Sequence, residues 1–181
     1  MSDGAVVSSV PVTRHKQRIA RFAVWLQKSL PALYQWLASR ENKHWRREVP
    51  FTPLTKPIDQ CKVALVTTGG LILREHEPFD LNDSAGDCSY RVIPDNAAPE
   101  DIVISHLFYD RSSVEVDTEV MLPLALLRRY ASEGKIGAVA PRHFSFSGGI
   151  PDPTPLVTEY APEVARHLAE DEVDLVVLTP A

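Results

Sequence analysis

Four short apolar runs constrain this chain more than any other feature: residues 62–67 (KVALVT), 101–105 (DIVIS), 136–140 (IGAVA) and 173–178 (VDLVVL). Each is too short for an ordinary buried helix and is nearly continuous in apolar character, which is the pattern of a strand covered on both faces. Helix-type stretches lie between them. Residues 123–133 (PLALLRRYASE) place proline at the first turn and are followed by Gly134 as a stop, and residues 162–170 (PEVARHLAE) begin in the same way. Strands separated by helices of this length predict crossover connections. The expected fold is therefore α/β, a mainly parallel open sheet with helices on both faces in a Rossmann/flavodoxin-like three-layer arrangement.

The segment ahead of the first run has a different character. Residues 1–12 are small and polar and are expected to be disordered. Residues 13–47 form a basic arm in which Ile19, Phe22, Ala23, Leu26, Leu30, Leu33, Trp36 and Leu37 recur at helical spacing. Pro31 interrupts that pattern and predicts a kink or two helices. The arm carries nine Lys or Arg side chains against Glu41 alone, while the whole chain of 181 residues has a net charge of -5. Trp25 and Trp36 beside a basic face would suit a membrane surface, but packing on this protein or on a subunit is the expected use. Residues 48–60, with Pro50, Pro53 and Pro57, read as an extended linker, and residues 61–181 as the α/β domain. With no basic field over the body, nucleic acid is not an expected partner. No apolar run reaches the roughly 18–20 residues of a membrane span, and no signal-peptide order is seen. The expected location is cytoplasmic. Cys61 and Cys88 cannot make a disulfide framework, and core packing is the expected role of both, although Cys88 sits among polar neighbours.

In open α/β sheets ligands bind beyond the carboxyl ends of the strands. Four segments are expected to meet there: Thr67, Thr68, Gly69 and Gly70; Ser105 and His106 with Tyr109 and Asp110; Pro141, Arg142 and His143; and Thr179, Pro180 and Ala181. His106 and His143 are candidates for proton transfer or for contact with a carboxylate, against the alternative of two hydrogen-bonded structural rings. Asp110 would orient a histidine or close a turn, and Tyr109 would donate a hydrogen bond or pack. Gly69 and Gly70 would let backbone approach an anion, or simply form a tight turn. Arg91, in the loop sequence GDCSYR, would grip a carboxylate or brace its loop. No spacing supports a metal site.

The series KVALVTTGG (62–70), GDCSYR (86–91), ISHLFYD (104–110), PLALLRRYASEGKIGAVAPRHFSF (123–146) and VDLVVLTP (173–180) resembles the glycine/sarcosine/betaine reductase selenoprotein B family. It is most similar to the branch that includes the selenocysteine subunit of D-proline reductase, and the likeness runs from about Phe51 to Ala181. The resemblance implies reductive cleavage of a carbon–nitrogen bond next to a carboxylate. A pyruvoyl group on a partner subunit captures the amine as a Schiff base, a selenolate displaces it from the α-carbon, and a neighbouring thiol resolves the selenoether. A thioredoxin-like or other dithiol donates the electrons, and an oligomer is expected. The family's selenocysteine or cysteine, in a UxxC or CxxC arrangement, would follow Ala181, so the expectation is a chain cut at a UGA codon and lacking redox turnover by itself. Within these residues His106 and His143 would handle protons or touch substrate, with Tyr109 and Asp110 beside them. Arg91 and Arg142 would hold the carboxylate, and Thr67, Thr68, Gly69 and Gly70 would shape the floor. No cofactor is expected within the chain. The alternatives are a non-catalytic, partner-binding paralogue, or a hydrolase or lyase using the two histidines. Missing C-terminal structure would leave an uncovered sheet edge and favour association.

Overall fold

The structure is a computed structural model and describes residues 12–41, 52–107 and 109–180, with the side chains of 37–41 excepted. Of the segment 1–12 expected to be disordered all but Val12 lies outside the described residues, as do the end of the basic arm, the start of the linker and Ala181. Strand β1 (Lys62–Thr67) is the spine. On one side β7 (Leu175–Thr179) pairs with it in parallel, from Val63 opposite Leu175 to Thr67 opposite Thr179. On the other side β5 (Ala138–Val139) pairs with its first residues and β6 (Arg142–Phe146) with its last, both in parallel. Pro141, which has no N–H to give to a ladder, falls in the gap between them. β3 (Tyr90–Pro94) then pairs antiparallel with the outer side of β6.

Two expectations fail here for definable reasons. The run at 101–105 does form a strand, β4 (Ile102–Ile104), but it pairs antiparallel with β2 (Leu71–Leu73) in a separate two-stranded sheet. A three-residue apolar run buried on both faces looks the same in either sheet, and the partner strand starts directly after the Gly70 turn. Arg142 and His143, expected beyond the carboxyl end of the strand at 136–140, instead begin strand β6, where buried His143 and Ser145 alternate with Phe144 and Phe146 and hide the apolar signal. The result is a mixed α/β fold with a mostly parallel main sheet.

Each face of the main sheet is covered. Phe144, Phe146, Val66, Tyr90 and Val92 pack against Val164 and Leu168 of α4 (Ala161–Glu170) and against the π-helical turn Leu156–Tyr160 that leads into it. Val63, Leu65 and Ile93 face Leu124 and Leu127 of α3 (Leu124–Ser132) together with Leu71, Leu73, Ile102 and Ile104 of the small sheet. Full burial of each such aliphatic or aromatic side chain contributes about 1.5–3 kcal/mol. The Glu119 carboxylate caps α3, accepting from the N–H groups of Ala125 at 2.9 Å and Leu126 at 3.1 Å, where the helix dipole favours negative charge. Gly134, at φ +67°, ends it.

The arm forms α1 (Arg14–Ser29) and α2 (Pro31–Glu41), broken at Leu30–Pro31. Ala20 and Leu26 of α1 are buried, and the Lys16 ammonium donates to the carbonyls of Leu81 at 2.8 Å and Asp83 at 2.6 Å. No helix among the described residues is long and apolar enough to cross a membrane.

Candidate functional site

Because β1, β6 and β7 run in parallel, their carboxyl ends arrive together. Thr67 leads into Thr68–Gly69–Gly70, Phe146 into Ser147–Gly148–Gly149, and Thr179 into Pro180. These ends are tied to one another. The Thr67 hydroxyl donates to the Thr179 carbonyl at 3.0 Å and accepts from Gly69 N–H at 3.0 Å. Thr68 N–H donates to the same Thr179 carbonyl at 3.2 Å, and Gly70 N–H donates to Phe146 at 2.9 Å. The amides of Thr68, Gly69 and Gly70 are therefore committed within the chain, so this turn is the built floor of a rim and not an anion cradle.

His106 stands on that floor, 4% exposed, with its ring centroid 4.6 Å from that of Tyr109. Tyr109 donates its hydroxyl to the Gly69 carbonyl at 2.9 Å. Two glycines make room for the histidine. A Cβ on Gly70 (φ +64°) would fall 2.6 Å from the Ser105 carbonyl and 2.8 Å from His106 Cβ, and one on Gly148 (φ +66°) would lie 2.6 Å from the Thr68 carbonyl and 3.1 Å from His106 Nε2. Burial first, and then the positive charge of Arg111, push the His106 pKa down to about 4. Burial pushes the Tyr109 hydroxyl up to about 12 despite Arg111. At neutral pH the rim thus offers a neutral imidazole and a protonated phenol.

Other expected site residues lie elsewhere. His143 is in the row two residues short of the one that pairs Thr67 with Ser145, fully buried, and its Nδ1 accepts from Leu65 N–H at 3.0 Å. It replaces a ladder bond that the break between β5 and β6 leaves unmade, and burial lowers its pKa to about 4. Arg142, beside it at the amino end of β6, makes a two-pronged pair with Asp171 at 2.7 and 2.9 Å, which ties α4 to the sheet. Arg91 braces its own loop, donating to the carbonyls of Glu77 at 2.7 Å and Pro78 at 3.3 Å with its guanidinium 4.5 Å from the Phe79 ring centroid. Asp110 is half-exposed and pairs with Lys28 of α1 at 2.6 Å instead of orienting a histidine. Both cysteines are buried, Cys61 against the Pro57 carbonyl and Cys88 against that of Asp152, and burial raises the Cys88 pKa. Among the described residues no cluster of three His, Cys, Asp or Glu is placed to hold a metal.

Sequence reasoning missed one part of the rim and one arginine whose charge acts on it. Ser147–Gly148–Gly149 carried a signal, a glycine pair closing an alternating run. Arg111 carried none, being one arginine in a polar loop. Its Nη2 lies 3.4 Å from Glu115, while its Nη1 is buried with no hydrogen-bond partner among the described residues.

Comparison with known proteins adds the family. The family model for glycine/sarcosine/betaine reductase selenoprotein B matches residues 43–181. The chain belongs to the selenoprotein B family. It is 42% identical over 129 residues to D-proline reductase subunit gamma of Acetoanaerobium sticklandii, covering 71% of this chain and 52% of that subunit. Sarcosine reductase complex component B subunit beta of Peptoclostridium acidaminophilum is 30% identical over 135 residues, or 72% of this chain and 30% of the relative. Glycine reductase complex component B subunit gamma of Symbiobacterium thermophilum is likewise 30% identical over 135 residues, covering 72% of this chain and 31% of its own length. The chain thus spans about half the length of the first of these selenoprotein B relatives and under a third of the others. No solved structure matches it.

Proposed function

We propose that this chain is the front portion of a selenoprotein B-type reductase subunit. It would serve reductive carbon–nitrogen cleavage of an amino acid or related amine of the glycine, sarcosine, betaine or D-proline kind. A dithiol is oxidised to a disulfide, and its two electrons and two protons appear as a new C–H and N–H bond. The observation that carries this reading is the rim itself: the end of β7 is hydrogen-bonded to the end of β1, on the floor beneath buried His106 and Tyr109. A selenocysteine or cysteine following Ala181 would start from that rim, and a partner subunit would bring the pyruvoyl group. A selenolate supplies a polarizable nucleophile that is ionised at neutral pH. The residues present suit such a neighbour. His106, held neutral, can give or take one hydrogen bond without placing a second charge in the site, and Tyr109 holds the floor at Gly69.

A second reading, a partner-binding paralogue without redox turnover, is favoured by one observation. Phe22 and Trp25 stack with ring centroids 5.7 Å apart on the outer side of α1, 60% and 53% exposed.

The two readings separate in one experiment. The gene is read onward from the codon for Ala181, and the complete product is expressed with its neighbouring subunits and assayed for dithiol-dependent cleavage of the four substrates. The reductase reading expects an in-frame UGA or cysteine codon followed by coding sequence, and turnover that His106→Ala lowers by about 10²-fold or more. A continuation without either residue, or a complete complex inert toward all four substrates, overturns it in favour of the binding role.

A further inference from the structure

The basic arm docks through one face of α1 and leaves another open. Ala20, Leu26 and Lys16 meet the body, while Arg14, Arg18, Arg21, Phe22 and Trp25 are all exposed. Those five residues are spaced by three, four and seven, so they share one face of the helix. That face interleaves arginine with a stacked aromatic pair and holds no acid. Arginine and large aromatic side chains are what the centres of protein interfaces concentrate. A lipid-facing helix would instead gather its apolar side chains on one stripe and its cations on another.

The chain also carries the opposite kind of surface. Val116 and Val120 are 87% and 56% exposed, and they stand among Glu115, Asp117 and Glu119. The two patches are joined by an ion pair. Lys28, one turn beyond Trp25 on α1, reaches Asp110 at 2.6 Å. From there the loop closes in helical turns, Glu115 N–H donating to Arg111 at 2.8 Å and Asp117 N–H to Ser113 at 2.9 Å, which keeps Val116 close to that pair. A basic, aromatic patch and an acidic, apolar patch on either side of one point make a self-complementary surface. A two-fold axis near the Lys28–Asp110 pair would set helix against loop and loop against helix, the arrangement of an isologous dimer.

We propose that the outer face of α1 is a dimer interface whose occupant is the loop 115–120 of a second copy of this chain. Phe22 and Trp25 pack on Val116 and Val120, and Arg14, Arg18 and Arg21 face Glu115, Asp117 and Glu119. The family model begins at residue 43, so α1 lies outside what the chain shares with that family, and the pairing is independent of the reductase reading.

The test is sedimentation velocity of the complete 181-residue chain carrying Leu178→Lys, which takes the open edge of β7 out of the comparison. A monomer–dimer equilibrium that added salt weakens is expected. Arg18→Glu and Val116→Lys, both at exposed positions, should each weaken it by about tenfold or more. Combined in one chain they again set opposite charges across both halves of the interface, so the double variant should dimerise more tightly than either single one. A monomer at every concentration, single variants that dimerise like the parent, or a double variant no tighter than the singles would overturn the pairing. So would binding of the arm to phosphatidylserine vesicles, or to a neighbouring subunit, without self-association, since each identifies a different occupant. If Arg18→Glu unfolds α1, Val116→Lys, in a loop position remote from the helix in sequence, decides against its parent.

Discussion

His143 and His106 set the acid limit of this fold. Both are held near pKa 4, below the ordinary value of 6.5, so the native state resists protons that the unfolded chain accepts. Their contribution is complete above pH 6.5 and drains away as pH falls toward 4, by about 1.4 kcal/mol per pH unit for each ring. Urea midpoints measured from pH 7 to 4.5 should fall across that window, and a flat profile would show that the rings are not buried neutral. His143→Leu should halve that slope. It should also cost about 1–3 kcal/mol at pH 7, because Leu65 N–H loses its acceptor. Gly148→Ala forces a Cβ to within 2.6 Å of the Thr68 carbonyl at a φ of +66°, and a loss of about 1–3 kcal/mol with a displaced His106 resonance is expected. Gly134→Ala, at φ +67° with nothing within 4 Å, should cost only the left-handed strain, about 1–2 kcal/mol, and leave His106 unmoved. Thermal midpoints and the histidine spectrum distinguish the two glycine variants.

At the scale of elements, α1 is fastened by ammonium-to-carbonyl bonds and a small apolar contact, so its docking is local. Lys16→Met removes both carbonyl bonds and should loosen the helix by about 1–2 kcal/mol, read as faster amide exchange confined to α1. Lys28→Ala breaks a half-exposed pair with Asp110, and about 1 kcal/mol or less is expected. Equal protection of α1 in Lys16→Met and wild type would show that the Lys16 bonds do not dock the helix. Helices α3 and α4 were legible because proline near the start, Gly134 at one end and the apolar stripe agree. Strand β6 was not, since its buried polar residues are explained by partners remote in sequence, such as Leu65 for His143.

Across the whole molecule the weakest boundary is β7. It read as a buried strand, yet Leu178 is 70% exposed and Val177 38% exposed, and its only strand partner among the described residues is β1. An open edge with apolar side chains invites pairing. Sedimentation of this chain should show concentration-dependent self-association that Leu178→Lys reduces, and a strict monomer at all concentrations would refute it. The sequence by itself determined which stretches become β1, β7, α3 and α4, because apolar period and helix-end chemistry are local properties. It also determined the family, through motifs spread along most of the body. Tertiary structure alone decided that β4 leaves the main sheet and that Arg142 and His143 serve the fold. Each of those depends on which partner a polar group meets across tens of residues, and hydrogen bonds and ion pairs of that range leave no periodic trace in the chain.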